Sequence, residues 1–293
     1  MSDVPLDLVA ATKRYRDKIV LDELNLTVPA GSVVGLLGKN GSGKTTLIKA
    51  ALGLVKLDLG SARVFDQPAW HMDADAKSRL GYVPQVVNLY AWMRVRQTIE
   101  YIAAFYPRWN WSLIDRLLTE WELNPRERVG TLSVGQLQKL GILVALGHEP
   151  DLLVLDEPAA SLDPIARRDF LKALLEIAAD GNRTVLFSTH ITSDLERVAD
   201  RVAILRNGKI TYHGELDELK ENVKRLHVTA KNPLTGSFNV PGAVRLRVEG
   251  NEALVSVKDA SGEVIDRIRA DYEASVTVED LNLEEIFLEM HYD

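Results

Sequence analysis

The run Gly38-Lys39-Asn40-Gly41-Ser42-Gly43-Lys44-Thr45 fits the spacing G-x-x-x-x-G-K-[ST], which cradles phosphate. Glycines let successive backbone N–H groups turn inward around anionic oxygens, and the helix that follows the loop would add its own unsatisfied donors and positive dipole end. Lys44 would reach the terminal phosphates, Thr45 offers a hydroxyl to Mg²⁺, and Thr46 follows on the same helix start. What this loop lacks is an acid and a base. Asp156 and Glu157 supply carboxylates at the end of the apolar run Leu152-Leu153-Val154-Leu155, and His190 closes a second run, Thr184-Val185-Leu186-Phe187-Ser188-Thr189. Side chains alternate along a strand, so the two acids are expected to diverge, one toward a metal ion and one toward the space beyond the last phosphate, where it can polarise water. Gln85, just past Pro84, can present its amide to the same metal or water; alone, a loop glutamine is more often merely solvated. Tyr15 lies among Lys13, Arg14, Arg16 and Asp17, and its ring either stacks on a base or closes a strand end. Ser133-Val134-Gly135-Gln136 has the S-x-x-Q form of a capping box, and the helix end it caps can also receive an anion.

These residues need a sheet to bring them together. Val33-Val34-Gly35-Leu36-Leu37 reads as a buried strand before the loop, and Thr46 to Leu52 as the helix after it. Such short apolar runs suit an open parallel sheet, whose ligands bind at the carboxyl ends of its strands, so the ends at Gly38, Asp156 and His190 can share one crevice. Before the loop, Leu6 to Val9 and Val20 to Val28 alternate like antiparallel strands. Between Val86 and Gly147 the period becomes helical, with amphipathic segments over 97–105 and 112–121. Trp92, Trp109, Trp111 and Trp121 fall there and are read as packing rather than a ligand box. After Gly214, strands near 226–230, 244–248, 253–257 and 274–278 and helices near 262–270 and 283–290 make a small α/β appendage with no phosphate loop of its own.

Composition narrows the partners. The 293 residues are 46% hydrophobic and 26% charged, as in an ordinary globular protein. A net charge of -7 disfavours wrapping nucleic acid through phosphate contacts. No cysteine occurs, which removes disulfides and thiolate metal sites. Residues 1–7 lack the apolar core of a secretory signal, and no apolar run reaches the roughly 20 residues that span a bilayer, so a membrane role is expected to act through a partner.

In order and type together, these motifs resemble the nucleotide-binding subunit of ATP-binding cassette (ABC) transporters, from near Val4 to Gly214. Gly38 to Thr45 resembles the Walker A loop, Gln85 the Q-loop glutamine, Leu132-Ser133-Val134-Gly135-Gln136 the signature, Leu152 to Glu157 the Walker B strand, Ser161-Leu162-Asp163 the D-loop and His190 the switch histidine. The resemblance implies an α/β P-loop NTPase fold: a RecA-like parallel core with an antiparallel β subdomain and an inserted helical subdomain at about 86–147. This ATPase domain would cover 1–223, with an accessory α/β domain at 224–293. It implies ATP and Mg²⁺ as ligands, with Tyr15, Gly38, Lys39, Asn40, Gly41, Ser42, Gly43, Lys44, Thr45 and Thr46 around the nucleotide and Thr45, Gln85 and Asp156 at the metal. Glu157, His190, Lys44 and Gln85 would act in hydrolysis. Ser133, Gly135, Gln136 and Asp163 would complete the site of a second subunit, closed head to tail as a homodimer or heterodimer. The remaining partner would be an integral membrane permease, with the chain cytoplasmic at the inner face of the membrane. Phe105-Tyr106-Pro107 and the stretch 281–288 are similar to ATPases of the ABC-2 type, whose usual task is export. One departure stands out: Val134 and Leu137 replace the glycine and basic residue common in the signature. The rival expectation is a soluble ATPase of this class acting on a ribosome or nucleic acid.

Overall fold

The structure, a computed structural model, describes residues 4–178, 183–234 and 238–291. Its described residues form two compact units, Met1–His213 and Gly214–Asp293. The division falls before the helix at Leu216–Asn222.

The first unit holds two sheets. In the antiparallel one, β1 (Leu6–Tyr15) pairs with β2 (Lys18–Val28) and with β4 (Leu59–Val64), which carries the short β5 (Gln67–Pro68) at its edge. The other is built around β3 (Val33–Leu37), in the order β10–β9–β3–β8–β7–β6, with β6 at Leu80–Val83, β7 at Leu152–Asp156, β8 at Thr184–Thr189, β9 at Arg201–Arg206 and β10 at Lys209–Glu215. From β9 through β6 every pairing is parallel. Both faces of β3, β7 and β8 are covered, and all sixteen of their residues are buried, which is why they read as short, mostly apolar runs. The register sets Leu37 beside Thr189, Asp156 beside Ser188 and Val83 beside Leu155. The loops after these strands therefore leave from one edge of the sheet.

Helix α1 (Lys44–Ala51) packs between the two sheets, burying Leu47, Ile48, Ala50 and Ala51 in a core shared with Leu6, Leu8 and Leu26 of the antiparallel sheet and Leu36, Val154 and Leu186 of the parallel one. The connection from β4 to β6 carries the short α2 (Ala74–Ser78), capped by the Asp73 carboxylate, which accepts from Ala76 N at 2.8 Å. Between β6 and β7 come α3 (Val95–Ala103), α4 (Trp111–Glu120) and α5 (Val134–Leu146). Residues Leu140 to Leu146 of α5 are buried, and α5 packs on β6 as well as on α3 and α4, so it roots the helical insertion in the sheet. Trp121 is buried and Trp109 makes tilted ring contacts with Tyr106, His148 and Trp111, as packing predicts; Trp92, 69% exposed, does not follow that rule. Two further helices flank the later strands, α6 (Pro164–Ala178) and α7 (Thr192–Val198).

The second unit begins with α8 (Leu216–Asn222) and forms an antiparallel sheet in the order β12–β13–β11–β14. Its strands are β11 (Lys224–Ala230), β12 (Ala243–Glu249), β13 (Glu252–Val257) and β14 (Ala274–Asp280). Helix α9 (Gly262–Tyr272) buries Ile268 against Leu226, Val228, Val255 and Val276 on one face. The last helix, α10 (Leu283–His291), packs on β12, and its buried Glu289 carboxylate is held by Arg225 at 2.7 Å and Arg245 at 3.4 Å.

Candidate active site

The phosphate loop is shaped by backbone that only glycine adopts freely. Gly41 (φ 78°) and Gly43 (φ 109°) are left-handed, and a Cβ on Gly43 would lie 3.1 Å from the Val20 carbonyl. At Gly38 a Cβ would sit 2.6 Å from Ser42 Oγ and 2.8 Å from the Leu205 carbonyl, so the strand can leave the sheet here only without a side chain. Lys44 opens α1 and folds back under the loop, donating from Nζ to the carbonyls of Gly38 (2.7 Å) and Lys39 (3.2 Å). Lys39, Asn40 and Gly41 are exposed at the tip, and Ser42, Thr45 and Thr46 are half-buried.

Across the sheet edge, β7 delivers both acids, but strand alternation is not what separates them. Asp156 is the last residue of β7, and Glu157 leaves the strand at φ 50°, a left-handed conformation that costs a non-glycine residue about 1 kcal/mol. Ser188 of β8 fixes the turn: Glu157 N donates to Ser188 Oγ (2.9 Å), which donates to Asp156 Oδ1 (2.8 Å). The Glu157 side chain then bridges Lys44 and His190. Its Oε1 lies 3.0 Å from Lys44 Nζ, off the angle of a hydrogen bond, and its Oε2 lies 2.9 Å from His190 Nδ1. Lys44 and Glu157 are both about 5% exposed, so the pair sits largely out of water.

Four side-chain oxygens at or beside this site are buried without a hydrogen-bond partner among the described residues: Ser42 Oγ, Asp156 Oδ2, Glu157 Oε1 and Tyr82 OH. Tyr82 projects from β6, and burial followed by the nearby Asp156 charge pushes its hydroxyl up to about 12. Buried polar atoms are seldom left unpaired, so the set fits a ligand that brings its own donors and acceptors: phosphate at the loop, and a hard cation against Asp156 Oδ2 and the Thr45 hydroxyl.

The structure thus brings Gly38, Ser42, Gly43, Lys44, Asp156, Glu157 and His190 together. Gln85 is exposed two residues beyond β6, on the strand-end side of the sheet. Tyr15 is 47% exposed at the end of β1, paired with Lys18, with Lys13 Nζ 5.4 Å from its ring centre. Ser133 and Gln136 hold one another in a capping box at the start of α5: Ser133 N donates to Gln136 Oε1 (2.9 Å) and Gln136 N to Ser133 Oγ (3.2 Å). Gly135 lies beside the Ser161-Leu162 backbone turn, and Asp163 caps α6 by accepting from Ile165 N (2.9 Å) and Ala166 N (3.0 Å), bonds that hold its carboxyl below the usual range. Sequence reasoning missed Ser188, the one hydroxyl that orients both acids; a serine inside the otherwise apolar β8 run was the available signal.

A phosphate loop and an acid-bearing strand end on one edge of a parallel sheet define a P-loop ATPase. The comparisons narrow the class. Residues 21–160 match the family model described as ABC transporter. The bacitracin transport ATP-binding protein BcrA of Bacillus licheniformis is 34% identical over 73% of this chain and 71% of its own length. The Nod factor export ATP-binding protein I of Burkholderia pseudomallei is 32% identical over 99% of this chain and 98% of its own. A solved structure titled as the ATP-binding subunit of an ABC transporter superposes with a TM-score of 0.67 at 29% identity, over 74% of this chain and 92% of that one. The chain belongs to the ABC transporter ATP-binding proteins, and it is an ATP-binding, ATP-hydrolysing subunit of that family.

Proposed function

We propose that this subunit drives an exporter: MgATP closes two nucleotide-binding subunits on one another, hydrolysis reopens them, and a separate membrane permease is moved by the cycle. The observation that carries the reading is the junction of Lys44, Glu157 and His190 on one buried carboxylate. Lys44 and the loop amides neutralise the phosphates. Glu157, free to turn from Lys44 once phosphate takes that ammonium, accepts a proton from the attacking water, and His190 holds the γ-phosphate side of the same carboxylate. Thr45 and Asp156 would hold Mg²⁺, with Gln85 near it, and the ion would supply positive charge against the charge that develops on the phosphates. Tyr15 stacks on the base. Ser133, Gly135 and Gln136, with Asp163 on the adjoining turn, complete the site of the second subunit.

No helix among the described residues is long and apolar enough to cross a membrane. In this reading the permease is a separate chain and this subunit works at the inner membrane face. Export follows from the relatives named for bacitracin transport and Nod factor export. None of these names supports the rival reading of a ribosomal or nucleic-acid partner. The permease-docking groove lies between Gln85 and Trp92, where an aromatic ladder stands open: Trp92, Tyr90, Tyr101 and Phe105 follow one another with ring centres 5.3–5.8 Å apart. Arg96 is a poor probe of this groove. It is tied to Glu100 (3.0 Å) and Asp115 (2.7 Å) and lies over Trp111, so reversing its charge would disturb the helices themselves. Trp92→Asp is the cleaner test. It is expected to leave ATP turnover of the free subunit intact and to abolish co-purification with the permease; unchanged co-purification would remove the groove from this role.

A further inference from the structure

We propose that the Arg167–Asp194 pair is a positioning clamp that ties the D-loop helix to the switch histidine and thereby sets the His190–Glu157 contact. This rests on the reading of Glu157 and His190 as the hydrolytic pair. The geometry is a closed ring of contacts. From Glu157 the chain turns through Ala160 N→Glu157 O (3.2 Å) and Leu162 N→Ala159 O (3.2 Å) to Asp163, which caps α6. Arg167 stands one turn further on, its own N–H bonded to Asp163 O at 2.9 Å. Its guanidinium leaves α6 and donates from Nε to Asp194 Oδ1 on α7 at 2.7 Å, with Nη2 in ion-pair contact 2.7 Å from the same oxygen. From Asp194 the ring returns through Asp194 N→Ile191 O (3.2 Å) and Ile191 N→Thr189 Oγ1 (3.0 Å) to His190, whose Nδ1 meets Glu157 again.

Nothing in helix packing alone calls for this pair. Asp194 is buried, and its second oxygen has no hydrogen-bond partner among the described residues, so the carboxylate is kept at a desolvation cost that a pair of apolar side chains would avoid. What the pair adds is direction. α7 is a short helix whose first turn follows His190 by two residues, and its Leu195 fills the space over Gly35 of β3, which fixes depth but not rotation. A guanidinium with one hydrogen bond and a second ion-pair contact on a single buried oxygen fixes the rotation, and it does so relative to α6, the helix that Asp163 caps. Displacement of the D-loop is therefore passed to His190 through one ion pair.

The test is a double-mutant cycle on ATP turnover. Arg167→Ala would strand a buried charge and fail to fold cleanly, so Asp194→Asn, which keeps the shape and leaves only the partly exposed Arg167 without its ion partner, is the primary variant. Its kcat is expected to fall about tenfold with KM for ATP within about twofold, and in a His190→Ala background the same substitution is expected to change kcat less than about twofold. Arg167→Lys, which keeps the charge without the fork, is expected to lie between wild type and Asp194→Asn. Equal losses with and without His190, or no loss in Asp194→Asn, would overturn the clamp. If Glu157→Gln and His190→Ala themselves left turnover at the wild-type rate, the hydrolytic reading would fail instead.

Discussion

At the scale of single residues, the site is governed by where hydrogen bonds run out. Asp156 spends one oxygen on Ser188 and leaves the other buried and unpaired, facing the demand of a hard cation. Chelation of Mg²⁺ is therefore expected to abolish turnover and re-addition to restore it; turnover in excess chelator would deny Asp156 and Thr45 their metal. Ser188→Ala is expected to be more damaging than a typical serine loss. It removes the acceptor for Glu157 N and the donor to Asp156 together, so both stability, by about 1–3 kcal/mol, and kcat should fall. The signature offers a cleaner contrast. A Cβ on Gly135 would meet Ser161 O at 3.5 Å, an ordinary contact, so the fold does not need glycine there. Gly135→Ala should keep the wild-type melting temperature and lose ATPase activity if a partner's phosphates approach this helix end. Val134, 68% exposed at the first position of α5, is the natural counterpart: Val134→Gly should raise turnover if the β-branched side chain hinders closure, and an unchanged rate would dismiss the hindrance.

At the scale of elements, two joints hold the sheet to its helices. Gly35 in β3 faces Leu195 of α7 so closely that a Cβ would lie 1.7 Å from a leucine methyl. Gly35→Ala must push α7, and with it the residue after His190, outward; it is expected to cost about 1–3 kcal/mol in stability, measured by denaturant midpoint. The second joint is the stack of Tyr106 on His148, 4.0 Å apart and nearly parallel, with His148 Nε2 3.2 Å from Leu80 O at the start of β6. Burial pushes the His148 imidazole below its ordinary 6.5, against the smaller opposing effect of the Leu80 carbonyl. The unfolded chain then binds a proton that the folded chain refuses, so stability is full above about pH 6.5 and declines as pH falls through the window beneath it. His148→Phe should flatten that decline between pH 7 and 5; an equally steep decline would shift the cause to other groups, His213 among them, which burial also pushes down.

At the scale of the whole chain, much of this arrangement was legible because buried parallel strands announce themselves: β3, β7 and β8 are apolar runs that stop at chemistry. The appendage was readable as well, its strands and helices lying close to the ranges expected of them. What stayed hidden depends on contacts distant in sequence. Ser188 reaches Glu157 from 31 residues away, and Arg167 reaches Asp194 from 27, pairings no local pattern encodes. The left-handed turn at Glu157 was hidden too, since a glutamate carries no propensity for it and tertiary bonds impose it. The divergence of the two acids was anticipated from strand alternation, yet it arises from that turn.

The central claim, that one carboxylate poised between Lys44 and His190 activates water in a site closed by a second subunit, is tested most directly by Glu157→Gln. The amide keeps the shape of the contact without a charge that can accept the proton. In sedimentation with MgATP this variant should bind nucleotide as tightly as wild type, turn it over at least about 100-fold more slowly, and accumulate as a dimer. Wild-type turnover in Glu157→Gln, or a monomer saturated with MgATP, would contradict it.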